Sequence, residues 1–144
     1  MTLRLGKIWQ IPIGLHVSWF LIFGLLTWSL ATSILPEEYP EMSSTLHWIA
    51  GVITSILFFV SVLLHELGHA FEARRCGIPV KRITLFLFGG VAQIEREPET
   101  AVSEFRIAIA GPLVSFLLAG LFYLLWFFDQ NIPWLAAPSL WLAR

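Results

Sequence analysis

Residues 61–77, SVLLHELGHAFEARRCG, end a long apolar segment with a cluster of ionisable side chains. No charged residue occurs from Trp48 to Leu64, and two histidines and two glutamates then follow before the pair Arg74 and Arg75. Burying a charged side chain away from water is costly unless the group is paired or binds a metal ion. The stretch therefore predicts a membrane-embedded helix whose polar groups serve a specific function.

The composition is that of a membrane protein. Hydrophobic residues make up 57% of the 144 residues and charged residues 13%, with a mean hydropathy of +0.76, whereas soluble domains carry about 25% charged residues. The net charge of −1, without a polybasic tail, argues against a nucleic-acid partner. The expected environment is membrane lipid. Cys76 is the single cysteine, which excludes an internal disulfide.

Three segments approach or exceed the roughly 20 apolar residues that a helix needs to cross a bilayer. They are residues 17–35, 47–71 and 105–128. The apolar tail 132–143 is too short to span and is expected to be the start of a truncated fourth helix. The predicted fold is an all-α integral membrane domain over residues 1–144, with three transmembrane helices and one short β-like segment.

Basic residues predict the orientation. Arg4 and Lys7 precede the first span, with no cleavable signal pattern after them. Five Lys or Arg side chains occur in residues 74–96, after the second span, whereas residues 36–47 carry three glutamates and no Lys or Arg. By the positive-inside tendency the N-terminus is cytoplasmic. We expect a multi-pass protein of the bacterial inner membrane or of an internal membrane.

Residues 78–95, IPVKRITLFLFGGVAQIE, are rich in β-branched and aromatic side chains. They predict two short strands that meet at Gly89 and Gly90, in an interfacial or re-entrant hairpin near the cytoplasmic face. Two interpretations of the glycines remain open. They allow a tight turn, or, together with Phe88, they bind substrate by letting the strand edge 86–92 pair with an extended peptide.

The pattern His65-Glu66-Leu67-Gly68-His69 is typical of zinc peptidases. Residues four apart lie on one face of a helix, so His65 and His69 can reach one Zn²⁺ ion. Zinc lowers the pKa of a bound water towards about 7. Glu66 flanks the metal and is the expected catalytic base, which accepts the proton and delivers it to the leaving amine.

Other polar residues receive smaller roles. Glu72 lies three residues after His69 and is either a further ligand or, as we expect, an ion-pair partner of Arg75. His16 and His47 lie at span edges and are assigned no function.

The third span carries Gly111, Ser115 and Ala119 at four-residue spacing, with Pro112 beside the first. Small residues at this spacing let helices approach closely in lipid. They predict packing of this span against the helix that carries the two histidines.

Residues 65–112, HELGHAFEARRCGIPVKRITLFLFGGVAQIEREPETAVSEFRIAIAGP, resemble the site-2 protease family of intramembrane zinc metalloproteases, peptidase family M50. Residues 6–20, GKIWQIPIGLHVSWF, are similar to the start of the bacterial and archaeal subgroup whose members often carry CBS domains. The resemblance implies hydrolysis of peptide bonds in transmembrane substrates, with His65 and His69 as zinc ligands and Glu66 as catalytic acid and base. The FGG stretch then lies beside the active site.

One feature departs from the family pattern. Family members supply a third ligand, an aspartate in an LDG-like motif. The sole aspartate here is Asp129. It falls at the predicted outer side of the membrane, so the ligand role is not assigned to it. Catalytic zinc sites usually have three protein ligands. We therefore expect an N-terminal portion of a longer protease, which associates with a missing C-terminal part or with CBS domains.

Two other functions compete with proteolysis. One is a non-catalytic membrane module that binds partner helices, which the missing aspartate favours. The other is a metal-ion carrier, which would place ionisable polar groups on several spans, whereas the first span here has no charged, His or Cys side chain.

Overall fold

The computed structural model describes residues 2–128 and residue 142. In chain order the elements are β1 (Thr2–Ile8), β2 (Ile11–His16), α1 (Val17–Ser29), a π-helical segment (Leu30–Ile34), α2 (Leu35–Glu38), α3 (Ser44–Arg75), β3 (Val80–Phe86), β4 (Gly89–Ile94) and α4 (Ala101–Phe128). Asp129 lies outside the described residues, and so does the predicted fourth helix at 132–143, apart from residue 142.

Three helical segments among the described residues are long and apolar enough to cross a membrane: Val17–Glu38, Ser44–Arg75 and Ala101–Phe127. These helices coincide in number and in approximate position with the three predicted spans. The second and third segments begin earlier than predicted, and the first and second end later. The predicted bounds were set by apolar residues alone. The helices extend beyond them because a helix ends where its terminal backbone groups find other hydrogen-bond partners.

The ends of α3 and α4 show such partners. After Arg75, Gly77 adopts φ +76°, which glycine does without a Cβ penalty. Its N–H donates to Arg74 O and the N–H of Ile78 donates to Ala73 O, which closes α3 with a Schellman motif. At the start of α4, Thr100 Oγ1 accepts a hydrogen bond from the N–H of Ser103 at 3.2 Å.

The prediction of an all-α fold is wrong, because the chain also forms a four-stranded sheet in the order β1-β2-β3-β4. The pairs β1–β2 and β3–β4 are antiparallel, and β2 runs parallel to β3. The predicted hairpin in 78–95 is confirmed as β3 and β4, with its turn at Leu87 and Phe88, just before the two glycines. The parallel pairing joins this hairpin to β2, which is distant in the sequence, and places Ile13 opposite Ile83.

The β1–β2 hairpin was missed for a reason visible in its turn. Trp9 and Gln10 both have positive φ, 49° and 67°, as a two-residue hairpin turn of type I′ requires. Asn-Gly or Asp-Gly usually occupies such a turn, so Trp-Gln carries no turn signal.

The chain divides into two compact units, one formed by residues 2–20 with Ser61–Phe116 and the other by Leu21–Val60 with 117–128. The first unit contains the sheet. Its core is a cluster of buried apolar side chains from the sheet and from α3, namely Ile11, Ile13, Leu67, Ala70 and Ile83. One face of the sheet therefore packs on the turn of α3 that carries the HExxH pattern.

The second unit has a small core of its own, formed by Leu30, Leu35 and Ala50. Thr27 Oγ1 donates a hydrogen bond of 2.8 Å to Ser55 Oγ between α1 and α3, where both side chains are buried. This bond satisfies two hydroxyl groups that would be costly to bury unpaired.

We expect Ile83→Ala to lower the free energy of unfolding by about 2–5 kcal/mol, because it leaves a cavity in the core of the first unit. Ile83 has 0% exposed surface. Thermal unfolding in detergent, followed by circular dichroism, measures the change. Val91→Ala on β4 is the control, since Val91 is 43% exposed, and should cost about 1 kcal/mol or less. Equal losses in the two variants would contradict the packing of β3 on α3.

Candidate metal centre

His65 and His69 lie one turn apart on α3 and their rings converge. Their Nε2 atoms are 3.1 Å apart, and the ring centroids are 4.8 Å apart with an interplanar angle of 77°. The i, i+4 spacing brings the two rings to one face, as the sequence predicts.

The other nitrogen of each ring contacts α4. His65 Nδ1 lies 2.8 Å from Ser115 Oγ, and His69 Nδ1 lies 2.7 Å from the carbonyl oxygen of Ile107. A carbonyl oxygen only accepts, so His69 Nδ1 carries a hydrogen and donates it. In the neutral ring the lone pair then lies on Nε2, which is the form that binds a metal ion.

This arrangement fits two ligand positions of a zinc site. Two nitrogens that bind one tetrahedral zinc ion at about 2.0–2.1 Å lie roughly 3.3 Å apart, close to the 3.1 Å between the two Nε2 atoms. Bonds from the second ring nitrogen to a hydroxyl and a carbonyl are typical of metal-binding histidines. Within residues 2–128, no group of three or more His, Cys, Asp or Glu side chains is placed to share one metal ion.

Gly111 of α4 leaves room for the two rings. A Cβ on Gly111 would overlap His69 Nε2 and would lie 2.7 Å from His65 Nε2. On α3, a Cβ on Gly68, which directly precedes His69, would lie 2.9 Å from Ala110 O. The two helices therefore meet backbone to backbone, which confirms the predicted packing of Gly111 and Ser115 on the histidine helix.

An ion pair fixes the same helix crossing one turn further on. Glu72 Oε1 lies 2.5 Å from Arg106 Nη2 of α4, and Glu72 Oε2 lies 3.8 Å from Arg75 Nη1. The predicted pair with Arg75 is confirmed, and Arg106 is the closer partner. Arg106 directly precedes Ile107, so the ion pair between Glu72 and Arg106 helps to position the Ile107 carbonyl that His69 contacts.

Glu66 lies against β4. Its Oε2 atom accepts a hydrogen bond of 3.1 Å from the N–H of Ala92. A Cβ on Gly90 would lie 2.5 Å from Glu66 Cγ, so a side chain there would displace the glutamate. Because the N–H of Ala92 is donated to Glu66, it belongs to the outer edge of β4 and not to the ladder with β3. This edge of the sheet therefore borders the glutamate.

The three residues predicted to bind substrate separate in space. Gly90 contacts Glu66, whereas Gly89 has φ +126° with nothing within 4 Å of an added Cβ, and Phe88 is 87% exposed. Gly89 thus meets the conformational requirement of a turn, and Gly90 meets that of a close approach.

The remaining histidines have local partners. His16 Nδ1 accepts from the N–H of Ser18 at 3.3 Å, at the start of α1, and His47 Nε2 lies 3.0 Å from Tyr39 O. Neither contact needs a further role.

Sequence reasoning missed two partners of the candidate metal centre, Ser115 and the Ile107 carbonyl. The available signal for Ser115 was its polar side chain on the predicted packing face of α4, four residues after Gly111.

Comparison with known proteins agrees with this geometry. The family model described as Peptidase family M50 matches residues 53–139. The protein sll0528 of Synechocystis sp. is 47% identical over 117 residues, covering 81% of this chain and 30% of the relative. Zinc metalloprotease MJ0392 of Methanocaldococcus jannaschii is 39% identical over 132 residues, covering 91% of this chain and 34% of the relative. The chain thus spans about a third of the length of these relatives.

A solved structure shares the fold. The Site-2 Protease from Methanocaldococcus jannaschii superposes with a TM-score of 0.64 at 32% sequence identity, covering 99% of this chain and 61% of that chain. Family model, relatives and fold agree: the chain belongs to peptidase family M50, the site-2 protease family of zinc metalloproteases.

Proposed function

We propose that this chain forms part of the core of an intramembrane zinc metalloprotease that hydrolyses peptide bonds of transmembrane substrates. The observation that carries the proposal is the convergence of the two imidazole Nε2 atoms on α3, at 3.1 Å, with Glu66 between the two histidines in sequence and held at a strand edge. A zinc peptidase needs these two elements, a metal-binding pair and a carboxylate near a peptide.

His65 and His69 would hold the zinc ion through their Nε2 atoms. The ion would act as a Lewis acid towards water and towards the substrate carbonyl. The chain's own contribution is orientation: the bonds of the Nδ1 atoms to Ser115 and Ile107 fix both rings, so the nitrogens need not reorganise when the ion binds.

Glu66 would move the proton. Its carboxylate takes a proton from the attacking water and delivers it to the nitrogen of the leaving amine. The bond from the N–H of Ala92 holds Oε2, and no described residue donates a hydrogen bond to Oε1. Oε1 is therefore the oxygen that would accept the proton.

The outer edge of β4 would bind the substrate as an added strand. It is the last strand in the order β1-β2-β3-β4, so its outer backbone groups have no neighbouring strand among the described residues. A peptide paired there would run past Gly90 and Ala92, which both lie against Glu66. An added strand requires an extended peptide, so a helical substrate would unwind before cleavage.

Placement in the membrane completes the proposal. We infer a cytoplasmic N-terminus from the basic residues at that end, so that the sheet, which follows the N-terminus directly, lies on the cytoplasmic side. Association with CBS domains, as in part of the family, is a further expectation from the resemblance.

We expect Glu66→Gln to reduce cleavage of a membrane-tethered reporter by about 10²–10⁴-fold, because an amide cannot accept the proton. Zinc content should be retained, since Glu66 is not a proposed ligand. Cleavage is measured by gel after reconstitution of the protein in lipid, and bound zinc by mass spectrometry.

Glu104→Gln, at the exposed start of α4, is the matched control and should cleave like the wild type. Equal cleavage by the wild type and Glu66→Gln would reject the proposal and would favour a non-catalytic membrane module.

We expect Ser115→Ala to weaken zinc binding by about 10–100-fold, because His65 loses the partner that orients its ring. Competition with a chromogenic chelator measures the affinity. Ser115→Thr keeps the hydroxyl and should recover most of it. An unchanged affinity in Ser115→Ala would show that the hydroxyl does not position His65.

We expect Gly111→Ala to abolish stoichiometric zinc binding, because the new methyl group would overlap the ring nitrogens. Gly120→Ala on the same helix is the control, since a Cβ there meets nothing within 4 Å. Bound zinc is counted by mass spectrometry after purification of both variants. Full zinc occupancy in Gly111→Ala would place the metal away from the two Nε2 atoms.

A further inference from the structure

The sheet carries a second feature, on the face opposite to its core. A groove of 580 Å³ crosses β1, β2 and β3 there. Four cationic side chains and two hydroxyl side chains line it, namely Arg4, Lys7, Lys81, Arg82, Thr2 and Thr84. No Asp or Glu side chain lines the groove.

Strand alternation separates this groove from the core. Ile13 and Ile83 pack on α3, so the next residues along their strands, Gly14 and Thr84, point to the opposite face. Arg4 pairs with Gly14 on the other side, so Arg4, Gly14 and Thr84 form one row across three strands. The groove is therefore the outward face of the sheet.

Gly14 forms the floor of the groove. A Cβ there would lie 2.8 Å from Thr2 Cγ2 and 3.9 Å from Thr84 Oγ1, so a side chain would fill the space between the two threonines. The cations of β1 and β3 stand on either side of this floor. The depression can admit a compact group with several hydrogen-bond acceptors.

The four cations have no carboxylate partner among the described residues. Glu72 pairs with Arg75 and with Arg106, outside the groove, and Arg82 Nε donates to the neutral Gln93 at 2.8 Å. Four of the nine Lys and Arg residues thus lie around one groove in a chain of net charge −1. Their mutual repulsion would be relieved by a bound anion.

Chain connectivity brings the groove close to the ends of two apolar helices. Gly14 precedes Val17, where the first apolar helix begins, by three residues, which corresponds to about 10 Å of extended chain. Lys81 follows the end of the second apolar helix, Arg75, by six residues. The attraction of an anionic membrane surface for basic side chains extends over about one Debye length, roughly 8–10 Å, which is comparable to these chain distances.

We propose that this basic groove binds the phosphate groups of anionic phospholipid headgroups in the membrane that holds the helices. Basic clusters next to membrane helices attract anionic lipid, and the two threonine hydroxyls donate to phosphate oxygens. Bound lipid would tie β1–β3 to the membrane surface and, through β4, would steady the strand edge at Glu66. The proposal does not depend on the proposed hydrolysis.

The test compares two double variants of equal net charge. Lys7→Gln with Lys81→Gln removes two charges from the groove. Arg74→Gln with Arg96→Gln removes two charges outside it, where the side chains donate to the carbonyls of Trp9 and Gly77. The full chain is reconstituted with phosphatidylcholine and phosphatidylglycerol, and the lipid retained after extraction is identified by native mass spectrometry.

We expect the wild type and the second double variant to retain phosphatidylglycerol in preference to phosphatidylcholine. The groove variant should bind it on the order of 30-fold more weakly while unfolding at the wild-type temperature. Equal losses in both double variants would overturn the proposal, because charge alone, irrespective of place, would then explain binding. Release of the lipid by millimolar inorganic phosphate would overturn the assignment to lipid and would assign the groove to a free anion.

Discussion

The close crossing of α3 and α4 is the constraint on which the candidate site depends. At Gly111 the α4 backbone approaches both ring nitrogens so closely that a single methyl group would not fit. The same approach lets α4 supply Ser115 and the Ile107 carbonyl to the two Nδ1 atoms, and the ion pair between Glu72 and Arg106 holds the crossing one turn away. The orientation of the rings therefore depends on the packing of the two helices, because small residues let α4 come close enough to bind the ring nitrogens.

The two faces and the outer edge of the sheet have different roles. Its apolar face packs on α3 through Leu67 and Ala70, within and beside the HExxH turn, and so fixes the strands relative to the histidines. Its opposite face carries the basic groove. Its outer edge, at β4, reaches Glu66 through the N–H of Ala92. A change in the position of the sheet would therefore displace Glu66, which links the basic groove to the proposed chemistry.

Sequence patterns predicted the elements better than their assembly. Apolar run length located the three long helices, and the i, i+4 spacing of His65 and His69 predicted the convergence of their rings. The hairpin at 78–95 was predicted from β-branched residues, yet the β1–β2 hairpin was not, because the turn at Trp9 and Gln10 lacks the residues that signal positive φ. The all-α prediction was wrong for this reason. The roles of Gly89 and Gly90 were left open because a glycine pair indicates backbone flexibility but does not indicate which group will pack against it.

The sequence by itself determined three long apolar helices, a zinc-peptidase motif on the second of them and a likeness to peptidase family M50. These features are local, since hydropathy and helical period are properties of neighbouring residues. Only the tertiary structure decided that Ile13 and Ile83 would bring two hairpins into one sheet, that α4 would orient both imidazoles, and that the edge of β4 would meet Glu66. Each of these contacts joins residues 26–70 positions apart, and no local pattern encodes which distant backbone group will satisfy a given side chain.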